Sequence, residues 1–64
     1  MRIAFDVQNR KVLIKGKPDL NKLRDYVPIK EGFSLEPVGK SIYVVRTKDD
    51  NSKEYNKNCK FYDV

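Results

Sequence analysis

Six cationic side chains lie within fifteen residues near the start of the chain, where together they could bind phosphate groups. They are Arg10, Lys11, Lys15, Lys17, Lys22 and Arg24. Asp19 is the one acid among them, and the segment carries the whole net charge of +5, because acids and bases cancel elsewhere in the chain. A local excess of one sign creates a potential that attracts the opposite charge. The segment therefore favours a polyanionic or acidic partner.

The groups that usually perform catalysis are scarce in this sequence. It has no histidine, which removes the commonest metal ligand and the usual general base near neutral pH. The single cysteine, Cys59, excludes an internal disulfide and leaves a closed zinc site to be built across chains. The adjacent acids Asp49 and Asp50 stand in a polar stretch typical of a solvated turn. We therefore expect no enzyme, no catalytic or metal-binding residue and no cofactor.

Length and composition point to one small domain over residues 1–64. A chain of this length hides only about 60% of its unfolded surface, so its core must be small. One cysteine favours a reducing compartment. No apolar run approaches the roughly 20 residues of a membrane span, and the first residues lack the apolar stretch of a signal peptide. We expect an unprocessed cytoplasmic protein, in the host cytoplasm if it is viral, with no membrane partner.

Two segments with alternating apolar residues predict a first β-hairpin. The apolar residues of one face are Ile3, Phe5, Val7, Val12 and Ile14. The other face would be mixed, with Arg2, Asp6, Lys11, Leu13 and Lys15. Burial of the apolar face would place Val7 opposite Val12 and Phe5 opposite Ile14. Residues 8–11 would then connect the strands, with Asn9 as the residue that best tolerates a left-handed conformation.

A short helix is predicted from Leu20 to Val27. It would begin with Asp19 as its cap or Pro18 in its first turn, and Pro28 would end it. Leu20, Leu23 and Val27 share one face, which must pack on the hairpin because two to three turns are marginal alone. At about 100° per residue, Lys22 and Arg24 fall on opposite flanks of that stripe.

Period-two alternation returns after the helix and predicts a second hairpin. Residues 33–35 would form one strand, 36–39 the turn and 41–47 a longer strand, followed by a polar loop at 48–53. The longer strand has apolar residues on both faces, which suits a central position or a covering partner. Residues 59–62 suggest a last strand at an edge. The predicted fold is α+β, a small antiparallel sheet of four to five strands with one short helix, in the order ββαβββ.

This arrangement gives two candidate surfaces. Arg10, Lys11, Lys15 and Lys17 could share one surface on the first hairpin, and contact with four phosphates would give a log–log salt slope of about −3.6 on duplex DNA. The alternative is that these cations keep the domain soluble and guard a strand edge. The candidates for stacking on bases are Tyr43, Tyr55 and Tyr62. Apolar side chains amid charge, which could mark a partner surface, are Leu13, Tyr43 and Val45.

Part of the chain resembles a known family. Two short strands are followed by Leu23-Arg24-Asp25-Tyr26, then Glu31-Gly32-Phe33 and Pro37. Over residues 1–37 this order resembles the N-terminal accessory domain of phage recombination and repair helicases, a small nucleic-acid-binding module that precedes a motor. The resemblance implies DNA binding, with Arg24 the basic residue in the matching segment. The chain departs from the pattern where Ser41-Ile42-Tyr43-Val44 replaces a Trp-Asp-Gly element, and it contains no motor.

Three functions remain open from the sequence. The first is a non-catalytic module that binds nucleic acid through the six cations, with DNA favoured over RNA. The second is a small regulator or inhibitor of the kind that viruses and mobile elements encode, which docks on an acidic host protein as a monomer or as a homodimer. The third is a structural subunit that buries Tyr43 and Val45 between chains.

Overall fold

The computed structural model describes residues 1–26, 32–48 and 52–64. In these ranges the chain forms five strands and one helix, which are β1 (Arg2–Asp6), β2 (Lys11–Lys15), α1 (Leu20–Tyr26), β3 (Phe33–Gly39), β4 (Ile42–Thr47) and β5 (Phe61–Asp63). The strands pair antiparallel in one sheet of order β3-β4-β2-β1-β5. The predicted α+β fold with the order ββαβββ is therefore confirmed. The interior position of β4, between β3 and β2, is confirmed as well.

The sheet is buried on both faces. On the helix face, Ile3, Ile14 and Val45 pack with Leu23 of α1. On the tail face, Ala4, Leu13 and Val44 form a second cluster. That cluster is covered by the tail, which we define as residues 52–60 and which contributes Tyr55 and Cys59. Since successive strand residues point to opposite faces, the run Val12-Leu13-Ile14 supplies both clusters. The second face of the first hairpin is mixed in composition, as predicted, and the tail covers it.

The first hairpin forms, but its predicted register was wrong by two residues. Phe5 lies opposite Val12 and Ile3 opposite Ile14. A shift of two residues keeps every side chain on its face, yet it slides Phe5 and Val7 toward the turn, where they are 43% and 84% exposed.

Turn chemistry explains this register. The Asp6 carboxylate accepts hydrogen bonds from the backbone N–H of Asn9 at 3.2 Å and from its side-chain Nδ2 at 2.9 Å. The Arg10 N–H donates to the Val7 carbonyl at 3.3 Å. The turn therefore spans residues 7–10, and its left-handed residue is Arg10, with φ of 54°, rather than Asn9.

The helix α1 begins where Asp19 caps it. The Asp19 Oδ1 accepts hydrogen bonds from the N–H groups of Asn21 at 3.1 Å and Lys22 at 3.3 Å, which confirms the predicted cap. Leu23 is fully buried, whereas Leu20 is 50% exposed, so the apolar stripe is narrower than predicted. The predicted helix end at Val27 and Pro28 lies outside the described residues. No helix among the described residues has the length and apolar character needed to cross a membrane.

The second hairpin turns later than predicted. Strand β3 continues through the expected turn to Gly39, and residues 40 and 41 form the turn, with Ser41 at φ 56°. Pro37 is tolerated inside β3 because this strand lies at the sheet edge, where a missing N–H costs no ladder bond. The register shifts between Pro37 and Gly39, as at a β-bulge. The acids predicted in the following loop, Asp49 and Asp50, lie outside the described residues.

The end of the chain closes the other sheet edge. Strand β5 pairs with β1, so the predicted edge strand is confirmed, one to two residues later than expected. Its Asp63 Oδ1 accepts a hydrogen bond from Arg2 Nε at 3.0 Å. The Val64 N–H donates to the Met1 carbonyl at 3.1 Å, which joins the two ends of the described chain.

Candidate nucleic-acid interface

An open groove of about 720 Å³ lies beside the first turns of α1. We call it the α1 groove, and its lining residues are Met1, Lys17, Pro18, Asp19, Leu20, Asn21, Lys22 and Arg24. Lys17, Lys22 and Arg24 are all exposed. Lys22 and Arg24, predicted on opposite flanks of the helix, both line this groove. Three cations therefore face one space with a single lining carboxylate.

That carboxylate and the preceding glycine position the groove. Asp19 is engaged in capping α1, and its N–H donates to the Met1 Sδ at 3.3 Å, which holds the chain start against the groove. Gly16 adopts φ of 90°, in the left-handed region that favours glycine. Its N–H donates to the Ser41 carbonyl at 2.8 Å. This bond fixes the direction in which the chain leaves β2, and hence the place of Lys17.

Arg10 and Lys15 are exposed but do not join the α1 groove lining. Arg10 lies in the hairpin turn just before β2, and Lys15 ends that strand. Five residues of strand separate them by about 17 Å. The Lys15 Nζ lies 5.8 Å from the centroid of the Phe61 ring. The single four-residue surface expected from the sequence is therefore divided by the length of β2.

Lys11 is buried, with 4% of its surface exposed, and it lies opposite Asp6, which is 2% exposed. The pKa of Asp6 is lowered, mainly by the side-chain hydrogen bond from Asn9, against burial, which acts to raise it. The N–H of Asn56, at 2.7 Å, and the nearby Lys11 cation lower this pKa further. Lys11 shares a face with Lys15, as predicted, but the tail crosses that face. Its charge serves the interior of the fold rather than an outer surface.

The apolar side chains proposed as a partner surface belong to the chain's own core. Leu13 is 1% exposed and Val45 is 4% exposed. Tyr43 packs against the helix-face cluster, and Tyr55 packs against the tail-face cluster. The prediction of Leu13 and Val45 as interface residues was therefore wrong, because both are buried in the core. Tyr43 is half-buried, and its role in stacking or at an interface stays a prediction.

The single cysteine belongs to the tail. Cys59 packs against the tail-face cluster, and burial raises the pKa of its thiol.

Two exposed aromatic rings form a feature that sequence reasoning assigned only in part. Tyr62 is 50% exposed, and the Lys60 Nζ lies 5.3 Å from the centroid of its ring. Phe5, expected in the core, is 43% exposed. The closeness of Lys60 and Tyr62 in the sequence indicated that Tyr62 could lie beside a cation. Nothing in the sequence indicated that Phe5 is exposed, because its exposure follows from the hairpin register.

Among the described residues, no three histidine, cysteine or carboxylate side chains lie close enough to hold a metal ion. Comparison of the chain with family models, curated proteins and solved structures finds no match. The chemistry of the chain's own surface is therefore the guide to its function.

Proposed function

We propose that this protein binds nucleic acid without catalysis, by contacting phosphates through the α1 groove. The observation that carries the proposal is the arrangement of Lys17, Lys22 and Arg24 around one open space. Their one lining acid, Asp19, is engaged with helix N–H groups. Lysine and arginine contacts to phosphate supply affinity and orientation without reading sequence. The resemblance of residues 1–37 to a DNA-binding accessory domain, with Arg24 in the matching segment, supports DNA as the first ligand to test.

The exposed cations outside the groove extend this surface. Lys15 and Arg10 remain available to a polymer that runs beyond the groove. Lys11 is not counted, since it is buried opposite Asp6. Contact by the three groove cations alone predicts a log–log salt slope of about −2.7 on duplex DNA and about −2.1 on a single strand.

The test is a fluorescence-anisotropy titration of short single- and double-stranded DNA at several salt concentrations. The variant Lys17→Gln/Lys22→Gln removes two groove cations and should make the duplex slope shallower by about 1.8. The matched control is Lys53→Gln/Lys57→Gln, which removes the same charge from exposed positions of the tail. If both double variants change the slope equally, the groove is not the contact site. Binding that is absent at low salt, or insensitive to salt, rejects the proposal.

An acidic protein is the competing partner for the same cations. Complementary charge would speed such an encounter as it does for nucleic acid. The test is a pull-down on the immobilised chain after nuclease treatment. If it recovers one stoichiometric protein, and the Lys17→Gln/Lys22→Gln variant does not, the partner is that protein and not a nucleic acid. The regulator or inhibitor of an acidic protein predicted from the sequence would then be the function.

A further inference from the structure

Phe5 and Tyr62 lie on the same face of neighbouring strands at one side of the sheet. Tyr62 of β5 pairs with Ile3 of β1, and Phe5 stands two residues further along β1. Residues in this diagonal relation have Cβ atoms about 7 to 8 Å apart. Ile3, between them, is buried, whereas Phe5 and Tyr62 are 43% and 50% exposed. The two rings therefore flank a covered position and present their own surfaces to solvent.

We propose that Phe5 and Tyr62 form a stacking platform for unpaired bases, so that the nucleic acid bound is single-stranded; this rests on the proposed function. Single strands are held by aromatic rings that stack on bases beside cations that contact the phosphates. Here the Lys60 Nζ lies over the Tyr62 ring, 5.3 Å from its centroid. A base that stacks on this surface of the ring displaces the cation, which then lies within reach of the phosphate of that nucleotide. Stacking on paired bases is closed to such rings, because a duplex hides the base faces.

The platform is continuous with the α1 groove. Tyr62 stands two residues before Val64, whose N–H donates to the Met1 carbonyl at 3.1 Å. Met1 in turn lines the groove with Lys17. A strand with its bases on Phe5 and Tyr62 would thus carry its backbone toward the groove cations. The platform thus has Lys60 on Tyr62 and the cations of the α1 groove further along. This positive charge favours a single strand over an apolar partner.

The experiment compares three probes of equal length: an oligothymidylate, the matching duplex, and an oligomer of abasic sugar-phosphate units. The wild-type chain should bind the oligothymidylate most tightly. Phe5→Ala and Tyr62→Ala should each weaken that binding about 5- to 160-fold, in line with the measured contribution of one stacked base. Both variants should bind the duplex and the abasic oligomer as the wild type does.

Matched variants separate stacking from other effects. Tyr26→Ala removes an aromatic ring of similar exposure, 44%, from α1 and should leave all three affinities unchanged. Tyr62→Phe keeps the ring and should retain wild-type affinity. Phe5→Leu keeps an apolar side chain without a ring, so it should lose affinity for the oligothymidylate even where Phe5→Ala is poorly folded.

The outcomes distinguish the platform from the groove. If the wild type binds the three probes equally, with the expected salt slope, the platform is refuted while phosphate binding stands. Equal losses in Tyr26→Ala and Tyr62→Ala also overturn the platform. If the wild type binds none of the probes at low salt, both the groove and the platform are rejected.

Discussion

Replacing Leu23 with alanine tests how α1 is held on the sheet. Leu23 is 0% exposed and packs with Ile3, Ile14 and Val45. The substitution removes three buried carbons, which cost about 0.8 kcal/mol each, or about 2.4 kcal/mol together. An unfilled cavity raises the loss toward about 3 to 4 kcal/mol. A domain of this size has a total stability of about 3 to 10 kcal/mol, so one side chain controls a large share of it.

Leu20 supplies the matched control, because it lies on the same helix and is 50% exposed. Leu20→Ala should lose about half the transfer free energy and open no cavity, a cost of about 1 kcal/mol. In urea unfolding followed by circular dichroism, with a slope near 1 kcal/mol per molar, the midpoint should fall by about 3 M for Leu23→Ala and about 1 M for Leu20→Ala. Leu23→Met, which keeps the volume, should cost less than about 1.5 kcal/mol. Equal midpoints for the two alanine variants would refute the packing described.

Two further predictions concern the turns that position the basic residues. The folded pKa of Asp6 lies below its unfolded value of about 3.9, so this group stabilises the fold fully above about pH 5, and that stability is lost as the pH falls through the folded pKa. Asp6→Asn should remove this part of the acid dependence of the urea midpoint; an unchanged dependence between about pH 6 and about pH 2 would contradict it. Gly16→Ala should cost about 1 to 2 kcal/mol through φ alone, since nothing lies within 4 Å of an added Cβ. Gly39→Ala is the control, because its added Cβ would lie at an ordinary 3.7 Å from Ile42. It should change the free energy of unfolding by less than about 0.5 kcal/mol in thermal unfolding. If Gly16→Ala and Gly39→Ala cost the same, the backbone of Gly16 is not the cause.

Hydrophobic alternation was enough to predict the order of elements but not the hairpin register. A slip of two residues leaves each side chain on its original face, so burial of one face cannot choose between the two alignments. The choice is made in the turn, where the Asp6 carboxylate bonds to both the backbone and the side chain of Asn9. This contact between Asp6 and Asn9 depends on side-chain hydrogen bonding, which the alternation of apolar residues does not report. The exposure of Phe5 is a direct consequence.

The sequence did contain an indication that the tail face of the sheet is buried, but the alternating pattern of the first hairpin drew attention away from it. Three consecutive apolar residues in β2, Val12 to Ile14, are typical of a strand covered on both sides. What covers the tail face is a segment without regular structure, and no periodic pattern identifies such a cover. The burial of Lys11 could not be predicted for the same reason. The α1 groove was also missed, because it needs Met1, which only the tertiary fold brings beside the lining residues between Lys17 and Arg24.

Because α1 and the tail cover the middle of the sheet, its edges and ends are left for recognition. At the β3 edge, Pro37 cannot donate a backbone hydrogen bond, which blunts that edge against pairing. At the β5 edge, Tyr62 stands exposed with Lys60 beside its ring. The surfaces suited to a polyanion therefore lie along β5 and at the α1 groove.

The fold also sets how many cations of the basic segment a polyanion can reach. Contact by all six would give a duplex salt slope of about −5.4, whereas the three groove cations give about −2.7. To reach the steeper value, Lys11 would have to leave its buried position opposite Asp6. The pKa of Asp6 is held low mainly by the Asn9 side chain, with smaller contributions from the Asn56 N–H of the tail and from the Lys11 cation, and opening the tail would remove the last two. A steep slope should therefore come with a weaker acid dependence of stability in the complex, so measuring both quantities on one sample distinguishes a rigid fold from one that opens its tail to bind.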